Sequence, residues 1–205
     1  MLITRPATHH ADTPLKIAIL SGLSDPSTCA LSDMQRDFLQ RLDAPHSAKV
    51  FRNFPYVDSA TPRRNPGLLI ASWRNTQQFL NASNAKTIEH ARRHWRALRD
   101  STDALLIITL SCGLEILRHC VGKNEGAVHV LALGPVARAL PALPCTLVRG
   151  SRDPISRVFF NDALVLPNLG HLDYFTSTAV LEIANELCSS ILNSSAADSI
   201  SRNSA

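Results

Sequence analysis

Three side chains of complementary chemistry follow three aliphatic stretches of this 205-residue chain: Ser111 after LLIITL, Asp153 after CTLVRG and His171 after ALVLP. A hydroxyl becomes a nucleophile when a base takes its proton, and an imidazole acts as that base when a carboxylate fixes its tautomer and stabilises its charged form. Together the three suit acyl transfer from an ester or thioester. The segment from Leu105 to Cys120, LLIITLSCGLEILRHC, places Gly113 just past Ser111 and resumes an apolar pattern at Leu114 and Leu117. A buried strand, a sharp turn and a helix follow from that pattern. Such a turn holds Ser111 at its tip and aims the backbone N–H of Cys112 at the reacting carbonyl.

Other residues compete for these roles. Cys112 as nucleophile puts Leu110 and Leu114 where a tight turn needs small residues, so Ser111 is favoured. Asp162 precedes a strand and so lies at its wrong end, while Asp173 stands two residues past His171. Five cysteines, Cys29, Cys112, Cys120, Cys145 and Cys188, form an odd set without a CxxC pair, the pattern of free thiols in a reducing compartment. His119 and Cys120 are adjacent, and on a helix they diverge by about 100°, so no metal site and no cofactor is expected.

These side chains need a scaffold that brings strand ends together. KIAILSG (16–22), AKVFRNF (48–54), LLIITL (105–110), AVHVLALG (127–134), CTLVRG (145–150) and ALVLP (163–167) read as strands. Amphipathic helices are expected after Ser32, over 68–80, 86–98 and 178–192, and in the segment after Ser111. The alternation predicts an α/β fold: a three-layer α/β/α sandwich with a mostly parallel sheet of about six strands. Functional groups in such sheets collect at the strands' carboxyl ends. Residues 1–14 read as a flexible leader, 15–192 as one domain and 193–205, NSSAADSISRNSA, as a disordered tail.

Hydrophobic residues make up 45% and charged ones 19% of the chain, which is ordinary for a soluble globular protein. No apolar run approaches the ~20 residues of a membrane span, and the first residues lack the apolar core of a signal peptide, so a cytoplasmic location is expected. Net charge is +4, concentrated at Arg63, Arg64 and KTIEHARRHWRALR (86–99). A solvated helix face is the plain account; a docking face for an acidic acyl-carrier protein is the functional one. Nucleic acid is not expected, because aromatics are 5% of the chain and do not interleave with the basic residues.

The order Ser, Asp, His resembles that of the α/β-hydrolases, and the resemblance covers Lys16 to Cys188. LVRGSRDPIS resembles the family's acid motif, NLGHLDYF its histidine segment and ILSGL its oxyanion loop. The resemblance implies Ser111 as nucleophile, Asp153 as acid and His171 as base. It also implies an oxyanion hole of backbone N–H groups from Cys112 and from Gly22 or Leu23. Leu23, Trp73, Phe159 and Tyr174 are then expected around a substrate pocket, with Phe160 and Phe175 near its mouth. The implied activity is that of a small, lidless serine esterase or thioesterase acting on a small acyl ester. Thr109 stands where the family's GxSxG pattern has its first Gly, Leu114 where Gly or Ala is frequent, and the link from Asp153 to His171 is short for a helix. These departures favour the alternative, a non-catalytic binding protein of the same fold for a small ligand or protein partner. A flavodoxin-like or Rossmann-like domain is undercut by SGLSDPS, which has a single Gly where a phosphate loop needs several.

Overall fold

The computed structural model describes residues 14–22, 28–54, 84–122 and 125–203. Its centre is a sheet of β1 (Leu15–Ser21), β2 (Lys49–Asn53), β3 (Ala104–Leu110), β4 (Ala127–Leu133), β5 (Cys145–Gly150) and β6 (Leu164–Leu166). The spatial order is β2-β1-β3-β4-β5-β6, and every neighbouring pair is parallel. All six strands therefore end at the same edge.

The sheet's two faces are covered separately, which is why β1, β3 and β4 read as continuous apolar runs. Ile17, Ile19, Leu106, Ile108, Leu131 and Leu133 join one cluster, closed by Phe38 and Leu39 of α1 (Asp33–Arg41) and by Val180, Ala184 and Cys188 of the C-terminal helix. Ala18, Leu20, Leu105, Ile107, Val130 and Ala132 join the other. Ala91 and Trp95 of α2 (Ala85–Arg99) and Leu114 and Leu117 of α3 (Gly113–Cys120) close that side. Three layers result. Each fully buried Leu or Ile contributes about 1.5–3 kcal/mol, so packing rather than propensity holds an eight-residue element such as α3.

Ser32 caps α1 as its sequence suggests, with Gln35 completing a capping box. Two spans differ from the sequence reading. The Asp153–His171 link, short for a helix in the sequence reading, contains α4 (Pro154–Phe159). Asp153 is its N-cap and Pro154 its first residue, a start signal readable in DPIS. The C-terminal helix α5 (Thr178–Asn203) runs on past Leu192, where the sequence reading ends it. The expected loop and helix between 56 and 80, with Trp73, and Leu23 lie outside the described residues.

Candidate active site

Ser111 sits directly past β3 with φ 54°, a left-handed conformation that a non-glycine residue adopts only when its surroundings impose it. Three bonds impose it here. Ser111 N–H donates to Leu133 O (3.1 Å), while Ser111 O accepts from Val136 N–H (3.2 Å) and Leu114 N–H (3.4 Å). Gly113 is required for a different reason. A Cβ there would stand 2.1 Å from the backbone oxygen of Leu20, because α3 begins against the end of β1. The serine, the left-handed turn and the close-packed glycine form a strand-to-helix elbow.

The departures from the expected elbow pattern are accommodated by burial. Thr109 is fully buried and lies in register between Leu20 of β1 and Ala132 of β4. Among the described residues its Oγ1 has no hydrogen-bond partner. Leu114 points into the second core cluster rather than crowding the turn. Burial pushes the Cys112 thiol up to about 12, so it stays protonated at neutral pH.

At the ends of β5 and β6 two loops are tied together. Ser151 N–H donates to Leu166 O (2.8 Å) and Arg152 N–H to Leu169 O (2.9 Å). A Cβ on Gly150 would lie 2.1 Å from Leu169 O, so glycine is needed for this approach. The result brings Asp153 and His171 together. His171 Nδ1 and Asp153 Oδ2 are 2.9 Å apart. An ionised carboxylate only accepts, so Nδ1 carries the proton and Nε2 is the basic nitrogen. Among the described residues no hydrogen bond joins Nε2 to Ser111 Oγ.

Asp153 is saturated. Its Oδ1 accepts Ile155 N–H (3.1 Å) and Ser156 N–H (3.2 Å), and its Oδ2 accepts the Tyr174 hydroxyl at 2.6 Å as well as His171. Burial by itself would raise the carboxyl's pKa. The hydrogen bonds from His171 and Tyr174, the His171 charge and the Ser156 N–H outweigh it and hold the group well below the usual carboxylate range.

The other expected site residues fall into two groups. Gly22 directly follows β1, whose last residue Ser21 is held in a buried polar network: Ser21 N–H donates to Asn53 Oδ1 (3.0 Å), and Ser21 Oγ accepts from Asn53 Nδ2 (3.0 Å) and Gln35 Nε2 (2.9 Å). Phe159 is exposed on α4 but is not among the residues that wall the open groove of about 530 Å³ there, which include Arg152, Asp153, Arg157 and Val158. Tyr174 and Phe175, by contrast, are buried in the first core cluster and do not line a mouth. Tyr174 was expected to touch substrate because it is aromatic and close to His171; its hydroxyl instead reaches inward to Asp153.

One charged cluster had no place in the sequence reading. Glu115, in the first turn of α3, is fully buried and accepts from Arg118 Nη2 (2.8 Å), Arg118 Nε (3.1 Å), Arg138 N–H (2.9 Å) and Arg138 Nη1 (3.1 Å). His119 Nε2 stands 3.4 Å from it. Burial would raise its pKa, but the Arg118 hydrogen bond, the Arg138 N–H and the charges of Arg118 and His119 bring it down to about 2. Glu115, Arg118 and His119 at i, i+3 and i+4 carried a signal for this cluster.

No family model and no curated protein sequence matches the chain. Solved structures do. Esterase PE8 aligns over 91% of this chain and 96% of its own at TM-score 0.53 and 14% identity. A protein of Pectobacterium atrosepticum named as YdeN-like hydrolase aligns over 86% and 92% at TM-score 0.51 and 11% identity. TT1662 from Thermus thermophilus aligns over 89% and 91% at TM-score 0.50 and 14% identity. The chain has the α/β-hydrolase fold. Within that α/β-hydrolase fold, Ser111, Asp153 and His171 occupy loops at the carboxyl ends of the parallel strands, where such sheets gather their chemistry. No helix among the described residues is long and apolar enough to cross a membrane.

Proposed function

We propose that this protein is a serine hydrolase that cleaves a carboxylic ester or thioester through an acyl-enzyme intermediate. The observation that carries this reading is the pairing of a left-handed Ser111 at the end of β3 with a His171–Asp153 hydrogen bond of 2.9 Å at the ends of β5 and β6. His171 Nε2 takes the Ser111 proton as Oγ attacks the acyl carbonyl. The oxyanion is held by the N–H of Cys112 and an N–H of Gly22 or Leu23. His171 then protonates the leaving group, and water activated by the same nitrogen releases the acid. The Ser111–His171 contact forms on substrate binding, as catalytic hydrogen bonds commonly tighten from the free state.

A short or medium acyl group suits the site, and the groove beside Asp153 offers Pro154 and Val158 as apolar contacts. The last residue of the basic helix gives no support to an acyl-carrier partner. Arg99 donates to Thr102 O at the start of β3, whereas Ser111 follows the end of that seven-residue strand. At ~3.3 Å per residue these ends are roughly 20 Å apart, so the small-ester reading is preferred. All five cysteines are free, in keeping with a reducing, cytoplasmic setting.

The decisive experiment pairs fluorophosphonate labelling with hydrolysis of p-nitrophenyl acyl esters of graded chain length. Wild type is labelled at Ser111 and turns over, and Ser111→Ala does neither. Equal labelling of both proteins sinks the reading. A folded wild type without labelling or turnover favours a binding protein built on the same fold.

A further inference from the structure

Tyr174 is joined to the site from inside the core. Its ring is fully buried, its hydroxyl accepts Gly150 N–H at 2.9 Å and lies 2.6 Å from Asp153 Oδ2, and its ring meets His171 edge-on with centroids 6.5 Å apart. The Gly150 bond decides the direction of the other. With an oxygen lone pair occupied by that N–H, the phenol proton is directed at Oδ2, the same oxygen that His171 Nδ1 addresses. Space for this shared oxygen is provided by Gly134 at the end of β4. A Cβ there would stand 2.7 Å from the Tyr174 ring and 2.9 Å from Oδ2, and its φ of 50° is itself a conformation that favours glycine.

We propose that Tyr174 is a positioning residue of the hydrolase: by donating to the oxygen that His171 uses, it fixes the Asp153 rotamer and sets how strongly that carboxylate stabilises the protonated imidazole. The inference rests on the hydrolase reading above. It follows from simple competition. A carboxylate oxygen that already accepts a short O–H bond has less electron density to offer a second donor, so the phenol weakens the pull of Asp153 on the imidazolium. His171 then gives up its proton more readily when the leaving group must be protonated.

Other groups facing the pair are few. Asp173, on the loop that carries His171, accepts Gly170 N–H at 2.8 Å. Arg152 beside Asp153 and Arg157 on α4 line the adjoining groove, and Gly134, just past β4, approaches the pair without a side chain. Asp173 and the two arginines are common to every variant below, so their background cancels.

The test compares wild type with Tyr174→Phe, which keeps the ring and removes the hydroxyl. The acid limb of kcat/KM and the NMR titration of the His171 imidazole both move up by about half a pH unit or more. At the plateau kcat falls roughly tenfold while KM changes less than twofold. A merely structural role would lower the yield of folded protein without moving the limb. Because the chain has 2 tyrosines, Tyr56→Phe leaves Tyr174 as the sole site for 3-fluorotyrosine, a more acidic phenol and a stronger donor. That protein keeps every hydrogen bond and shifts the limb down, which tests the proposal even where Tyr174→Phe does not fold. Coincident limbs in an active, Ser111-labelled enzyme overturn the proposal alone. Absence of Ser111 labelling in wild type overturns the hydrolase reading and this proposal with it.

Discussion

Glu115 and Asp153 have side chains with no exposure to solvent, and each accepts at least four hydrogen bonds, yet their partners differ in kind. Glu115 is gripped chiefly by two guanidiniums, which remain charged at any pH that leaves the protein folded, with the His119 imidazole a longer contact at 3.4 Å. It fastens the elbow helix to the link after β4, the same link that receives Ser111 O through Val136 N–H. Asp153 is met by an imidazole, a phenol and two backbone N–H groups. A carboxylate saturated by permanent cations braces what surrounds it and can do little else. One that leans on an imidazole leaves its partner free to gain and lose a proton, which general base catalysis requires.

The comparison breaks first at Asp153. Asp153→Asn keeps the oxygen that caps α4 but offers His171 Nδ1–H and the Tyr174 hydroxyl an amide, which favours the wrong imidazole tautomer. Turnover of an activated ester is expected to fall roughly 10³–10⁴-fold. A loss below tenfold would remove Asp153 from the mechanism.

Glu115→Gln should do the reverse. It leaves Arg118 and the Arg138 N–H short of a buried charge, and because both guanidiniums are partly exposed the cost is discounted to about 2 kcal/mol in urea unfolding. Turnover stays within about threefold where the variant is folded. The acid dependence sharpens the contrast. Glu115 titrates at about 2 in the folded chain against an ordinary 4.5, so below the latter value the unfolded state binds the proton first. The stability it contributes is complete above about pH 4.5 and is lost progressively toward pH 2. The urea midpoint of Glu115→Gln therefore falls less steeply with acid over that window than that of wild type. A variant as stable as wild type but inactive would place Glu115 in the chemistry and erase the distinction.

What the sequence disclosed follows the same division. Runs such as Ile17–Leu20 and Leu105–Leu110 announce strands buried on both faces, so the sheet's centre is legible in one dimension, and so is the position of Ser111, Asp153 and His171 past the ends of β3, β5 and β6. The partners of those side chains are not. Tyr174 reads as one more aromatic near a histidine. Only the return of the chain beneath β5 directs its hydroxyl at Asp153 and Gly150. Arg138 meets Glu115 across 23 residues, a pairing that no local spacing encodes. The helix α4 was hidden for another reason. Asp153 serves twice, as the partner of His171 and as the N-cap before Pro154, and the first role masks the second in the sequence.

Thr109 gives the smallest and most diagnostic effect. Glu115 and Asp153 show buried polar groups fully partnered, whereas Thr109 Oγ1, two residues before Ser111, is buried without a partner among the described residues. Desolvating an unpaired hydroxyl costs free energy, and a β-branched replacement of nearly the same shape removes that cost without reopening the turn. Thr109→Val should raise stability by about 1 kcal/mol in urea unfolding, with ester turnover unchanged within twofold. A destabilised variant would mean that the hydroxyl bonds to something in solution, and the contrast with the two carboxylates would fail. A stable variant that has lost turnover would instead assign the hydroxyl to the site, making this departure from the expected glycine a functional feature rather than a tolerated one.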